Sequence, residues 1–72
     1  MPVATAKDLQ AKAQQALADS KVYALRELVI DRDDDTLVIV GEATSFYHKQ
    51  LAQEIVRHAA PGVEVVNAVH VL

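Results

Sequence analysis

The chain has 72 residues, no cysteine and a formal charge of −3, so a single small domain is expected, without a disulfide framework or a thiolate metal site. Its hydrophobic share of 51% and charged share of 24% exclude a disordered tail. The acidic balance argues against a nucleic-acid module, which carries a basic stripe.

A domain of this size buries only about 60% of the surface its unfolded chain exposes. A partner or a second copy is therefore an open question from the start. No apolar run is long enough to span a membrane, and Met1 to Asp8 holds no apolar core of signal-peptide length. Read as a whole product, the chain is expected in the cytoplasm; read as part of a longer exported protein, in the periplasm.

Residues 1–4 read as a flexible arm and residues 5–72 as the core of one domain. Thr5 to Ser20 reads as a helix rich in Ala, Gln and Lys. Thr5 with Asp8 three residues later resembles a capping box. Ala6, Leu9, Ala13, Ala16 and Leu17 share one face at helical spacing, which leaves Lys7, Gln10, Lys12, Gln14 and Asp19 to solvent. Lys21 to Asp31 turns to β-branched and aromatic residues and predicts a strand centred on Leu28 to Ile30. Arg32 to Thr36 is a polar turn, and Leu37 to Ala43 a second strand, so the two form a hairpin. Gly41 inside that strand predicts a bulge or a close approach of other backbone.

Thr44 and Ser45 are N-cap candidates for a second helix that runs to about Ala60, where Pro61-Gly62 stops it. Tyr47, Leu51, Ala52, Ile55 and Ala59 form its expected buried face. Lys49, Gln53 and Arg57 lie outside, with Phe46 and Val56 pointing partly outward. Val63 to Leu72 is the third strand. The class is α+β with the order αββαβ. The hairpin and a right-handed crossover give a three-stranded mixed sheet in the order 1-2-3, with the two helices on one face.

Strand alternation then leaves an unusual second face. If Leu28, Ile30, Leu37, Ile39, Val65, Val69 and Val71 face the helices, then Val29, Val38, Val40, Val66, Ala68 and His70 face away. An open sheet normally shows polar residues there, and contiguous apolar patches mark interaction sites. Three readings fit: cover by the Pro2-Val3-Ala4 arm or Tyr23, self-association through the sheet face or by adding the third strand to an edge, or a foreign protein or lipid.

The layout resembles a BON domain, a bacterial αββαβ module, over roughly Val22 to Val71. Strand two carries Leu37, Ile39, Gly41 and Ala43 at alternate positions, and the helix after it ends at Gly62-Val63. Val65, Asn67, Val69 and Val71 then alternate in the last strand. Gly41, Gly62 and Asn67 are the most specific members, each with a structural role: a kink, a turn, and an edge side chain able to bond backbone. The family's hairpin usually has a glycine near its tip, where this chain has Arg32-Asp33-Asp34-Asp35-Thr36. The resemblance implies a non-enzymatic binding module, with phospholipid among the ligands of the family.

No enzymatic constellation accompanies it. Ser20 and Ser45 sit at helix ends, and two glycines are too few for a phosphate-cradling loop. His48 and His58 lie ten apart on one helix and His70 on a strand, so they make no ligand set. Asp31, Asp33 and Asp35 alternate, with Glu42 eleven residues after Asp31, but Thr36 stands where a calcium loop needs glycine. They are weak cation candidates only, for a cation-responsive regulator, and no metal or cofactor is expected. The leading expectation is self-association or protein binding through the open sheet face. The alternative is a peripheral module for anionic phospholipid, with Phe46, Lys49 and Arg57 as contacts.

Overall fold

A computed structural model describes residues 5–72. The first helix, α1, spans Ala6–Ala18. Thr5 caps it reciprocally: the Asp8 N–H donates to the Thr5 hydroxyl at 3.3 Å, and the Thr5 N–H donates to the Asp8 carboxylate at 3.0 Å. Ala6, Leu9, Ala13 and Leu17 are buried, whereas Ala16, placed on that face by its spacing, is half-buried at the rim.

Residues Tyr23–Glu27 form a 3-10 helix rather than the start of a strand. The Ser20 hydroxyl accepts the Val22 N–H at 3.1 Å and opens the turn. Leu25 then donates to the Val22 carbonyl at 3.1 Å, and Leu28 to the Leu25 carbonyl at 3.3 Å. Ala24, Leu25, Arg26 and Glu27 are good helix formers, and this local preference overrides the β-branched and aromatic residues before them. The turn lets Leu25 plug the core at full burial.

Strand β1 is Val29–Asp33 and β2 is Thr36–Val40, paired antiparallel from Val29↔Val40 to Asp33↔Thr36. The polar turn therefore shrinks to Asp34-Asp35, since Arg32, Asp33 and Thr36 belong to the strands. Asp34 takes φ +53, the left-handed conformation that a tip glycine would supply; Asp tolerates it better than most residues.

Past Gly41 the chain forms β3, Glu42–Ala43, then α2, Phe46–Ala59. Ser45 is its N-cap, accepting the His48 N–H at 3.2 Å. Pro61 and Gly62, the latter at φ +82, turn the chain into β4, Glu64–Asn67, and β5, His70–Val71. Strand β4 lies parallel to β2, and β5 parallel to β3. Ala68, His70 and Leu72 donate to the carbonyls of Ile39, Gly41 and Ala43, each at 2.9 Å. The ladder thus continues across both breaks. The sheet is three-stranded and mixed in the order β1-β2-β4, the order expected from the sequence.

Both helices pack on one face of that sheet. Leu17, Leu25, Leu28, Leu37, Ile39 and Val56 fill the core at full or nearly full burial. Two positions on α2 exchange roles. Val56 is fully buried and Tyr47 is 68% exposed, the reverse of the sequence expectation. The stripe that meets the sheet is Ala52, Val56 and Ala60, one residue every four, and its small side chains bring the helix close. Tyr47 falls off that stripe and tilts against His48, ring centres 5.8 Å apart.

Gly41 sits at φ +139 against Leu28, and a Cβ there would lie 2.7 Å from Leu28 Cδ2. Leu28 is buried in the packed core, so moving its Cδ2 aside displaces other core side chains. Gly41→Ala should therefore cost about 1–3 kcal/mol, from overpacking and backbone strain together, read as a drop in denaturation midpoint. An unchanged midpoint would show that the kink relaxes freely. At the α1 cap, bonds from the Thr5 backbone and hydroxyl, with the Lys7 charge, hold Asp8 below its ordinary value of 3.8. A depressed carboxyl stabilises the fold above its unfolded pKa, and that contribution is lost as pH falls through the folded pKa. The stability gap between wild type and Asp8→Asn should be present at neutral pH and close below about pH 4. Melting curves across that range test it, and a gap independent of pH would refute the capping account.

Candidate functional site

The face turned away from the helices carries the apolar residues that alternation placed there. Val29 pairs with Val40, and Val38 with Val66, across the three strands. Val29 is 50% and Val66 43% exposed; Val38 and Val40 are half-buried by their neighbours, and Ala68 and His70 are exposed. The valines are contiguous because β2 lies between β1 and β4. Toward the hairpin tip the same face turns acidic: Asp31 lies opposite Val38, and Asp33 opposite Thr36. Thr36 in turn pairs with Glu64, and its hydroxyl donates to the Glu64 carboxylate at 3.3 Å.

Tyr23, one of the candidate covers, stands elsewhere. It is 72% exposed on the 3-10 turn, with the Arg26 guanidinium 5.1 Å from its ring centre. The Pro2-Val3-Ala4 arm lies outside the described residues.

The two edges of the sheet differ. Along β1, Gln14 of α1 accepts the Ile30 N–H at 2.7 Å and donates to the Leu28 carbonyl at 2.8 Å. Gln10 donates to the Ile30 carbonyl at 2.9 Å. Both glutamines, assigned to solvent by their polarity, are half-buried and occupy the place of a further strand. The available signal was their spacing: one helical turn apart, beside a stripe of alanines that allows close approach.

Asn67 works at the other edge. Its Nδ2 donates to the Lys49 carbonyl at 2.8 Å and to Gln53 Oε1 at 3.2 Å, and its Oδ1 accepts the Val69 N–H at 3.2 Å. It bonds backbone, as expected of an edge side chain, and in doing so ties β4 to α2 and shapes the passage into β5.

Phe46, Lys49 and Arg57 line one groove along α2 with Gln53, Glu54 and Asn67. Phe46 is 75% exposed. The three histidines are not brought together. His48 is half-buried on α2, with Nδ1 buried and without a protein partner, while His58 and His70 are exposed. Asp31 and Asp33 lie on β1 and Asp35 in the turn. Among the described residues no three acidic or histidine side chains gather into a group that could hold a metal ion.

No family model, curated protein or solved structure matches the chain.

Gln14→Leu keeps the side-chain bulk but leaves the Ile30 N–H and Leu28 carbonyl without their partner. The expected cost is about 1–2 kcal/mol, toward the low end for unsatisfied groups because these are only partly buried. Hydrogen exchange at the Ile30 amide should accelerate at the same time. Unaltered exchange and unaltered melting would mean that water replaces the glutamine without loss.

Proposed function

We propose that the chain is a non-enzymatic, BON-like binding module that pairs with a second copy of itself through the valine face of its sheet. The observation that carries this reading is the continuity of Val29, Val40, Val38 and Val66 across three strands on the face without helices. Burying apolar surface yields about 25 cal/mol per Å², and a second copy presents a matching patch. The acidic ends of two copies, each with Asp31, Asp33 and Glu64, repel when set side by side. A two-fold pairing with the strands running in opposite senses keeps them apart.

Several polar residues have structural partners. Thr5, Asp8 and Ser45 cap helices, Gln10 and Gln14 cover an edge, and Asn67 fastens a strand to a helix. The joints at Gly41, Gly62 and Asn67 accord with the BON resemblance. Among the described residues no helix is long and apolar enough to cross a membrane.

Val38→Asp and Val40→Asp place a carboxylate in the centre of the proposed interface. Each should give a soluble monomer of lower stability. The association constant should fall on the order of a hundredfold or more, the consequence of burying an unpaired charge. Sedimentation or light scattering from micromolar to millimolar protein reads this directly. A wild type that remains monomeric at millimolar concentration overturns the proposal.

A further inference from the structure

The edge of the sheet opposite the glutamine clamp presents a row of backbone groups. Ala68, His70 and Leu72 donate inward to the neighbouring strand. Successive residues of a strand point their N–H and C=O groups to opposite sides, so those of Val65 and Asn67 point outward. Strand β4 pairs with β2 alone among the described residues. One outward donor nearby, the Val69 N–H, is taken by the Asn67 side chain. Unlike the β1 edge, the Val65 and Asn67 stretch has, among the described residues, no side chain hydrogen-bonded along it as a cover, and open edges are templates for an added strand.

A flank of α2 borders this edge. Phe46, Lys49, Gln53 and Arg57 follow one another along the helix, and with Glu54 and Asn67 they line an open groove of about 330 Å³. Asn67 holds helix and strand together there through Lys49 and Gln53. The repeat distances agree. Lys49, Gln53 and Arg57 are spaced by four residues each, about 6 Å of helix rise. Same-face side chains of an extended strand recur every 6.6 Å or so. A strand added to β4 would thus set residues i, i+2 and i+4 against Lys49, Gln53 and Arg57 in turn. The groove carries two cations against the single carboxylate of Glu54. It favours carboxylates at i and i+4, a hydrogen-bonding side chain at i+2, and an apolar residue at the exposed Phe46 end.

We propose that the β4 edge and the α2 flank together bind an extended acidic peptide segment of a partner protein as an added strand. Its main chain would pair with Val65 and Asn67, and carboxylates four residues apart would meet Lys49 and Arg57. This surface is the sheet edge and the α2 flank; the alternate side chains of an added strand would lie beside Val66 of the valine face, so the Val65 and Asn67 amides and the charge swap distinguish edge binding from contact with that face.

The test uses the full chain and a labelled eight-residue peptide. Valine occupies alternate positions of the peptide, and Glu, Thr and Glu occupy three successive positions of the other set. Fluorescence anisotropy should show binding that weakens about tenfold or more in the double variant Lys49→Glu, Arg57→Glu, and that strengthens there for a lysine version of the peptide. N-methylating one set of alternate peptide residues should abolish binding, and methylating the other set should spare it. The Val65 and Asn67 amides should shift in NMR spectra and gain exchange protection. Equal binding by both methylated peptides, or unmoved Val65 and Asn67 amides, overturns the proposal whether or not the double variant folds. Failure of the peptide to bind at millimolar concentration also overturns it. Binding to phosphatidylglycerol vesicles but not to the peptide would reassign the stripe to a membrane surface and overturn it as well. Self-association of the double variant should match wild type.

Discussion

The side-chain amide of Gln14 accepts from the Ile30 N–H at 2.7 Å and donates to the Leu28 carbonyl at 2.8 Å. The asymmetry of the sheet begins with that pair of bonds. An edge strand normally presents unpaired backbone groups that invite another chain. Here a helix supplies them through an amide with the same donor and acceptor chemistry as a peptide group. Close approach makes this possible: Ala6 and Ala13 on α1 are buried with almost no side-chain thickness. Ala6, Ala13 and the two glutamines are therefore one device, set among Leu9 and Leu17 on the buried face. Larger residues at Ala6 or Ala13 would lift α1 away, and the amides would no longer reach.

Closing one edge leaves the sheet with one edge and one face without helices. The inner face is satisfied by Leu37, Ile39 and Ile30, packed against α1 and α2. The outer face inherits whatever stands at the intervening positions of a run as apolar as Leu37-Val38-Ile39-Val40. Central strands covered on both faces have that composition. In an isolated domain the same composition places half of those side chains toward solvent. The relative burial of Val38 and Val40 against Val29 and Val66 follows from β2 being central: neighbouring strands shelter its side chains laterally but leave the face itself open.

Much of this architecture was legible in the sequence because its signals are local or strictly periodic. Thr5 with Asp8 and Ser45 before α2 are caps whose chemistry depends only on nearby residues. Pro61-Gly62 stops a helix for steric reasons, and the period of two along Leu37 to Val40 fixes which side chains turn inward. The misreadings have physical causes too. Val22 and Tyr23 carry strand propensity, but Leu25 gains full burial only if the segment tightens into a 3-10 turn. Tyr47 and Val56 changed places because a helix with small residues on several sides supports more than one apolar stripe. The glutamines were assigned to solvent because polarity says nothing about whether a sheet edge lies within reach. That depends on the path of another segment, and Asn67 was easier to place because its own strand carries it to the edge.

The open face and the open edge differ in how they can select a partner. An apolar face of valines is non-directional, so in the proposed self-association discrimination would come from shape and from the charges at its rim: Asp31, Asp33 and Glu64 would oppose the pairing senses that bring them together. A strand edge is directional, because main-chain bonds fix register to one residue and alternate side chains to one side. In the proposed strand addition, the four-residue spacing of Lys49, Gln53 and Arg57 would read a sequence because α2 is fixed against β4, by the two Asn67 bonds and by the buried Ala52, Val56 and Ala60. A helix free to shift along the sheet would carry its charges past the strand beside it, and their spacing would specify nothing.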